Sequence, residues 1–280
     1  MNGWKAVRQG RCAGMDDWKQ QYRALHMMPE AAAALVQDGD VLALSSAANW
    51  PKAFDRALAE RLRAEPLHIE LDALFTPETA ELLSDQYREQ VSYNANFFGG
   101  ERVLAPQGNV HFVPTNLSET GAWLCARHPR IVVACCTPPD ENGWMCRSLW
   151  GALLHRDVME QCGLLLVEIN DQLPRFATEG EAHMMLHVSE VDGLWEHCAS
   201  LMTHTSPAAT ELDRTIAGYI ADLVPDGACV QFGLGGLANA VGECLAYAGK
   251  KDLGVQTEVM TTCLVDLLER GVVNNSRKQT

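Results

Sequence analysis

The sequence predicts an α/β fold: two similar open α/β domains related by internal duplication, with the second domain incomplete. Three observations predict it. Apolar runs of strand length alternate with segments of helical period. One strand–loop–helix–strand pattern occurs twice. Its second occurrence starts too late for a whole copy to follow within 280 residues. Alternation of this kind favours a mainly parallel sheet with helices on its faces.

The elements follow in order. Residues 40–45 (DVLALS) read as a strand, and residues 51–63 as a helix with Pro51 in its first turn. Residues 67–74 (LHIELDAL) read as a strand. The unbroken apolar runs 131–136 (IVVACC) and 164–169 (LLLVEI) read as buried parallel strands. Residues 210–224 have helical period, 228–232 (ACVQF) read as a strand, and 238–248 as a helix.

In the repeat, Leu35-Val36-Gln37-Asp38-Gly39 matches Leu223-Val224-Pro225-Asp226-Gly227, and each is followed by strand, loop and helix. The next strands align as LHIELDAL against LGVQTEVM, which sets Asp72 against Glu258. Leucine pairs then close both copies, Leu82-Leu83 and Leu267-Leu268. The expected division is a leader at 1–14, one domain at 15–205 and the start of a second at 206–280. The leader carries Lys5, Arg8 and Arg11 and no acid. It fits a short transit segment or a stretch upstream of a start at Met15. The chain is expected to be cut off inside its second domain.

Composition excludes several classes of function. A net charge of −14 gives no electrostatic reason to bind nucleic acid or anionic lipid. The longest apolar runs, such as 163–167, are far too short to span a bilayer. The ten cysteines are scattered without a C-x-x-C pair, which suits buried thiols in a reducing, cytoplasmic compartment rather than disulfides or zinc.

The chemistry-bearing features are few. Gly233-Leu234-Gly235-Gly236 follows a strand and opens a helix, where backbone N–H groups can meet an anion. Gln231 is a polar neighbour at the strand end. Glu258 sits in an apolar run, and burying a carboxylate without partners costs several kcal/mol. The same loop also fits G-x-G-x-x-A, with Glu258 twenty residues beyond Ala238 as a ribose-binding acid, so a dinucleotide-dependent dehydrogenase stays open. Asp140 and Glu141 lie in a Pro/Asn-Gly turn and read as solvated turn residues. His183 and His187 could share a helix face around a metal, but the intervening Met184, Met185 and Leu186 favour packing, and no metal site is expected.

Several stretches in fixed order then resemble family I CoA-transferases, in the branch grouped with acetyl-CoA hydrolases. These are VQDGDV from Val36, FFGG from Phe97, TPPDENG from Thr137, VEINDQLPR from Val167, HVSEVD from His187 and DGACVQFGLGGLANAVG from Asp226. The resemblance covers Asp16 onward. It implies two similar α/β domains with the site between them. It also implies Glu258 as catalytic nucleophile in Gln256-Thr257-Glu258-Val259, where Gln256 and Val259 replace the family's usual histidine and methionine. Gln231, Gly233, Leu234, Gly235 and Gly236 would line the substrate site.

The implied reaction transfers CoA from a short-chain acyl-CoA to a carboxylic acid, with an acyl-CoA hydrolase as the alternative. No tightly bound cofactor is expected; the coenzyme A thioester is a substrate. The expected partners are small molecules, a homo-oligomer, and the remaining C-terminal part as a separate chain.

Overall fold

The computed structural model describes residues 18–76, 80–176, 182–203 and 205–278. The leader expected at 1–14 lies outside them. The chain divides into two compact units, residues 1–203 and 204–280.

Unit 1 begins with α1 (Trp18–Leu25), whose Trp18, Tyr22 and Leu25 pack on the core, and α2 (Pro29–Ala33). Then come β1 (Val41–Leu44), α3 (Lys52–Ala64), β2 (Ile69–Ala73), β3 (Val91–Ala95) and β4 (Val110–Phe112). The remaining elements are α4 (Thr120–Arg127), β5 (Ile131–Cys136), β6 (Trp144–Cys146), α5 (Arg156–Gln161), β7 (Leu164–Ile169), β8 (Met185–His187) and β9 (Gly193–Glu196). Seven strands form one parallel sheet in the order β4-β3-β2-β1-β5-β7-β9, and β6 and β8 form an antiparallel ribbon.

The continuous apolar runs are explained by cover on both faces. Leu42, Leu44, Ile131, Val133 and Leu166 join α3 in one core cluster. The alternate residues Ala43, Val132, Ala134, Leu165 and Val167 join Leu124 of α4 and Val158 of α5 in another. Strand order reverses at β1, so chain leaves β1 and β5 in opposite directions at their C-terminal ends. That is where open α/β sheets form crevices for ligands.

Unit 2 holds α6 (Glu211–Leu223), β10 (Cys229–Val230), α7 (Gly236–Tyr247), β11 (Gly254–Val255) and α8 (Thr262–Glu269). Thr210 and Asp213 close a capping box on α6. β10 and β11 are parallel, and one core cluster joins them to the three helices.

The hydrogen bonds of the two copies match. Gly39 donates its N–H to His68 O at 2.7 Å, and Gly227 to Lys251 O at 2.9 Å. Asp38 Oδ1 accepts from His68 N at 2.7 Å, and Asp226 Oδ1 from Lys251 N at 2.8 Å. Both glycines are left-handed, with φ +79° and +80°, a conformation that favours glycine.

One detail of the repeat is corrected by the sheet. Val41 pairs with Glu70 as Cys229 pairs with Gly254, so Asp72 corresponds to Gln256 and Glu258 to Leu74. The sequence alignment of Asp72 with Glu258 is two residues out of the structural register.

Candidate active site

The expected site residues all belong to unit 2, at the C-terminal ends of its two parallel strands. Phe232 is buried and ends the run from β10. The chain then passes through Gly233, Leu234 and Gly235 into α7. Gly235 precedes the helix at φ 130°, ψ 172°, a conformation closed to side chains, and no side chain caps the first turn. A Cβ on Gly236 would come within 3.1 Å of Ala208 O, so this glycine lets the chain before α6 cross the helix start. Gly233 and Leu234 are exposed, beside an open cleft of about 420 Å³ that Gln231 and Phe232 also line. The uncapped N–H groups and the helix dipole make this end of α7 attractive to an anion.

Glu258 follows β11. The sequence placed it on a buried strand, but β11 ends at Val255, and Glu258 is exposed in the bend beyond it. The reason is local. Leu253 and Gly254 are buried, Gln256 N still bonds Val230 O at 3.1 Å, and pairing stops there. Thr257 then donates its hydroxyl within reach of both Phe232 O, at 3.3 Å, and Val259 O, at 3.1 Å. This hydroxyl ties the bend carrying Glu258 to the last residue before the glycine loop. Glu258, Gln231, Gly233, Leu234, Gly235 and Gly236 therefore share one edge of unit 2.

The other candidates have structural roles. Asp140 Oδ1 accepts from Asn142 N and Trp144 N, both at 2.9 Å, and its Oδ2 accepts from Arg175 at 2.6 Å. It fixes the turn after β5. His183 and His187 do not share a helix: His183 is in a 3-10 turn and His187 ends β8. His187 Nδ1 accepts from Ser189 N, and its Nε2 lies 3.0 Å from Asn142 O. Among the described residues no group of three His, Cys, Asp or Glu side chains could hold a metal ion.

Unit 1 holds acids and aromatics whose partners the sequence did not disclose. Glu168 of β7 accepts from Trp195 Nε1 at 2.9 Å, Ala53 N at 3.0 Å and Phe54 N at 3.2 Å. It caps α3 from another strand. Burial pushes its carboxyl up to about 7, against the pull of these N–H donors. Asp72 is fully buried between Asn94, at 2.8 Å, and Arg127, at 3.1 Å. Its carboxyl is raised by burial, although both partners oppose the rise.

At the C-terminal edge of the sheet, Phe75 packs edge-on against Phe97 and Trp150 at 5.6 and 5.1 Å. Ala47 and Ser148 beside this edge take left-handed φ values of 52° and 54°. Such strain gathers at functional sites. The only sequence cue was the pair Phe97-Phe98; contacts among three separate loops have no local signature.

Comparison with known proteins places the fold. The family model for the acetyl-CoA hydrolase/transferase N-terminal domain matches residues 9–202. The succinyl-CoA:cyclohexane-1-carboxylate CoA transferase of Geobacter metallireducens is 35% identical over 94% of this chain and 59% of its own length. The butyryl-CoA:acetate CoA-transferase of Anaerostipes caccae is 30% identical over 93% and 59%. Among solved structures, RipA from Yersinia pestis matches with a TM-score of 0.84 at 28% identity, covering 94% of this chain and 62% of that one. The chain belongs to the acetyl-CoA hydrolase/transferase family. It spans about three-fifths of the length of these relatives.

Proposed function

We propose that this chain carries the nucleophile of an acyl-CoA:carboxylate CoA-transferase, and that the nucleophile is Glu258. The observation that supports this most is the shared edge of unit 2: an exposed carboxylate tied through Thr257 to the strand that opens an uncapped, glycine-rich helix start. Family membership and the named activities of the relatives support the reaction class.

The chemistry divides one difficult exchange into easier steps. A Glu258 oxygen attacks the thioester carbonyl, the C–S bond breaks, and CoA leaves as thiolate. The product on the protein is an acyl-glutamyl anhydride. The thiolate then attacks the glutamyl carbonyl, releasing the first carboxylate and leaving a glutamyl-CoA thioester. A second carboxylate attacks that thioester, forms a new anhydride and expels CoA thiolate. The thiolate finally takes the new acyl group and frees Glu258. Electrons balance without a redox partner, so the acyl-CoA itself is the only coenzyme the cycle requires. N–H groups at Gly233, Gly235 and Gly236 would stabilise the tetrahedral oxyanions, worth about 3 kcal/mol per well-placed donor.

Short-chain acyl-CoA and carboxylate substrates, a cytoplasmic location and a homo-oligomer belong to the same reading. No helix among the described residues is long and apolar enough to cross a membrane.

The test uses the protein isolated from its host with any polypeptide that accompanies it. Incubation with acyl-CoA and no acceptor, then borohydride, should reduce a glutamyl thioester to the alcohol and inactivate the enzyme, with the modified peptide containing Glu258. Glu258→Ala should remove both label and exchange. Retention of near-parental CoA transfer by Glu258→Ala would refute the assignment. Release of acid and CoA at the full rate without acceptor would make the enzyme a hydrolase. Saturable NAD binding lost with Glu258 would revive the dinucleotide reading.

A further inference from the structure

The sheet of unit 1 departs from the usual pattern of parallel sheets, which carry apolar side chains on both faces. β2, β3 and β4 keep the pattern on one face, where Ile69, Leu71, Val91, Tyr93 and Val110 join the cluster that contains α3. On the other face no residue of these three strands joins the cluster beneath α4 and α5. The register sets polar side chains beside one another there instead. Glu70 pairs with Ser92, and Asp72 with Asn94, which pairs in turn with His111.

Part of this polar face is satisfied internally, because Asp72 is held by Asn94 and Arg127. The rest opens into a cavity of about 390 Å³ whose lining includes Glu70, Ser92, Asn109, His111, His68 and Arg88. These residues belong to the starts of β2, β3 and β4 and the turns before them. The cavity therefore lies at the amino ends of the strands, opposite the crevice at their carboxyl ends.

The charges around the cavity are already matched. Glu70 is paired with Arg127, and Arg88 with Asp85 at 3.6 Å and Glu89 at 3.3 Å. His68 Nδ1 lies 3.3 Å from Asp38 Oδ1. What remains is neutral hydrogen-bonding capacity. Among the described residues the Ser92 hydroxyl and the His111 imidazole have no partner. Asn109 is buried; its Nδ2 donates to Val91 O at 2.8 Å, and its Oδ1 has no donor. A buried acceptor left unpaired is costly, and one in the wall of a cavity favours a ligand that brings a donor.

We propose that this cavity binds a neutral, multiply hydroxylated small molecule, a monosaccharide or a cyclic polyol. Each hydroxyl both donates and accepts. That suits a wall made of one hydroxyl, one imidazole, one amide oxygen and the second oxygen of Glu70. An ion finds no spare opposite charge: an anion meets Glu70 and Glu89, and a cation meets Arg88. Ser92 on β3 faces the middle of the ligand, with Glu70 and His111 on the flanking strands. The site contains none of the residues proposed for CoA transfer, so its occupation is read by binding alone.

The experiment titrates this chain separately with D-glucose, D-ribose and myo-inositol. NMR follows the imidazoles of His111 and His68 and the amide of Ser92. A ligand of about a dozen heavy atoms at ordinary efficiency binds with a Kd of the order of 1 mM. At least one of the three should saturate, with shifts confined to the cavity. Ser92→Ala and His111→Ala remove side chains that hold nothing else in the fold. Each should weaken binding about fivefold, the worth of one net hydrogen bond. Val103→Ala, at an exposed position outside the cavity lining, should leave binding unchanged. The proposal is overturned if none of the three saturates by about 50 mM. Saturation that both cavity variants leave unaltered would overturn it too. So would tighter binding of phosphate or of ethylenediamine at the same signals, by making the site one for an ion.

Discussion

Residues 35–83 and 223–268 trace the same strand–helix–strand path with different uses of charge. In the first copy two acids stand inside. Asp72 is fully buried and held by Arg127 and Asn94; Asp55 is buried and accepts from Glu81 N at 2.8 Å and Leu82 N at 3.0 Å. In the second copy Glu258 is exposed beside a glycine-rich turn. The difference teaches that the backbone path was kept while the acid moved. Beyond the Asp-Gly turn that both copies share, the first copy buries carboxylates against its own loops and side chains, and the second presents Glu258 to solvent.

The largest effect that tests this contrast is on Asp72. Asp72→Ala leaves the buried end of Arg127 with one fewer partner and Asn94 without its acceptor. Arg127 stays partly exposed and keeps Glu70, so the cost is that of lost hydrogen bonds to a buried charged group, about 1.5–3 kcal/mol. All seven tryptophans lie in unit 1, so urea unfolding followed by Trp fluorescence reports its stability. A loss below about 1 kcal/mol would deny Asp72 its structural role.

Next is Glu168. Its folded carboxyl titrates near 7 and is raised above its ordinary range by burial. A raised carboxyl means that the folded state binds the proton more tightly. Its contribution to stability is therefore present below the unfolded value and is lost as pH rises through about 7. Unit 1 should melt lower at pH 8 than at pH 5, and Glu168→Gln should flatten that slope. An unchanged slope in the variant would assign the pH dependence to other groups.

Much of unit 1 was legible in the sequence, for a physical reason. β5 and β7 are buried on both faces, so their apolar runs are continuous, and both appear with the predicted bounds. β1 and α3 differ from expectation by a residue at each end, where caps rather than periodicity decide. β3 and β4 were missed. VSYNA and VHF are short and half-polar because they lie toward one edge of the sheet. In unit 2, the run around Glu258 read as a buried strand because Val255 and Val259 are apolar. Only the start of the run pairs, Leu253 in a bridge to Val273 and Gly254 and Val255 with β10, and the ladder ends before Glu258. The glycine loop was legible from its spacing. The tie from Thr257 to Phe232 was not, because it joins residues 25 apart through one hydroxyl.

A smaller effect sharpens the kinship of the copies. Gly39→Ala and Gly227→Ala each force a side chain into the left-handed region, at a cost of about 1–2 kcal/mol. An added Cβ meets nothing within 4 Å at Gly39. At Gly227 it meets Arg277 Cδ at 2.7 Å, the movable end of an exposed side chain. The two losses should therefore agree closely, read by Trp fluorescence for Gly39 and by hydrogen exchange of α7 amides for Gly227. If Gly227→Ala were neutral while Gly39→Ala was costly, the two turns would not be equivalent.

The smallest effect expected is that of Glu258→Ala on folding. Glu258 is exposed and lies beyond the last paired residue of β11, and the bend that carries it is held by the Thr257 hydroxyl rather than by the carboxylate. Surface substitutions of this sort change stability by less than about 0.5 kcal/mol. Hydrogen exchange of α7 and α8 amides should be unaltered in the variant, while CoA exchange in the active protein is abolished. Thr257→Val should do the reverse in part: it frees the bend, speeds exchange at Gln256 and Glu258, and slows CoA exchange without abolishing it. A stability loss in Glu258→Ala as large as that in Asp72→Ala would make both acids structural. The contrast between the two copies would then fail at the residue on which the proposed chemistry depends.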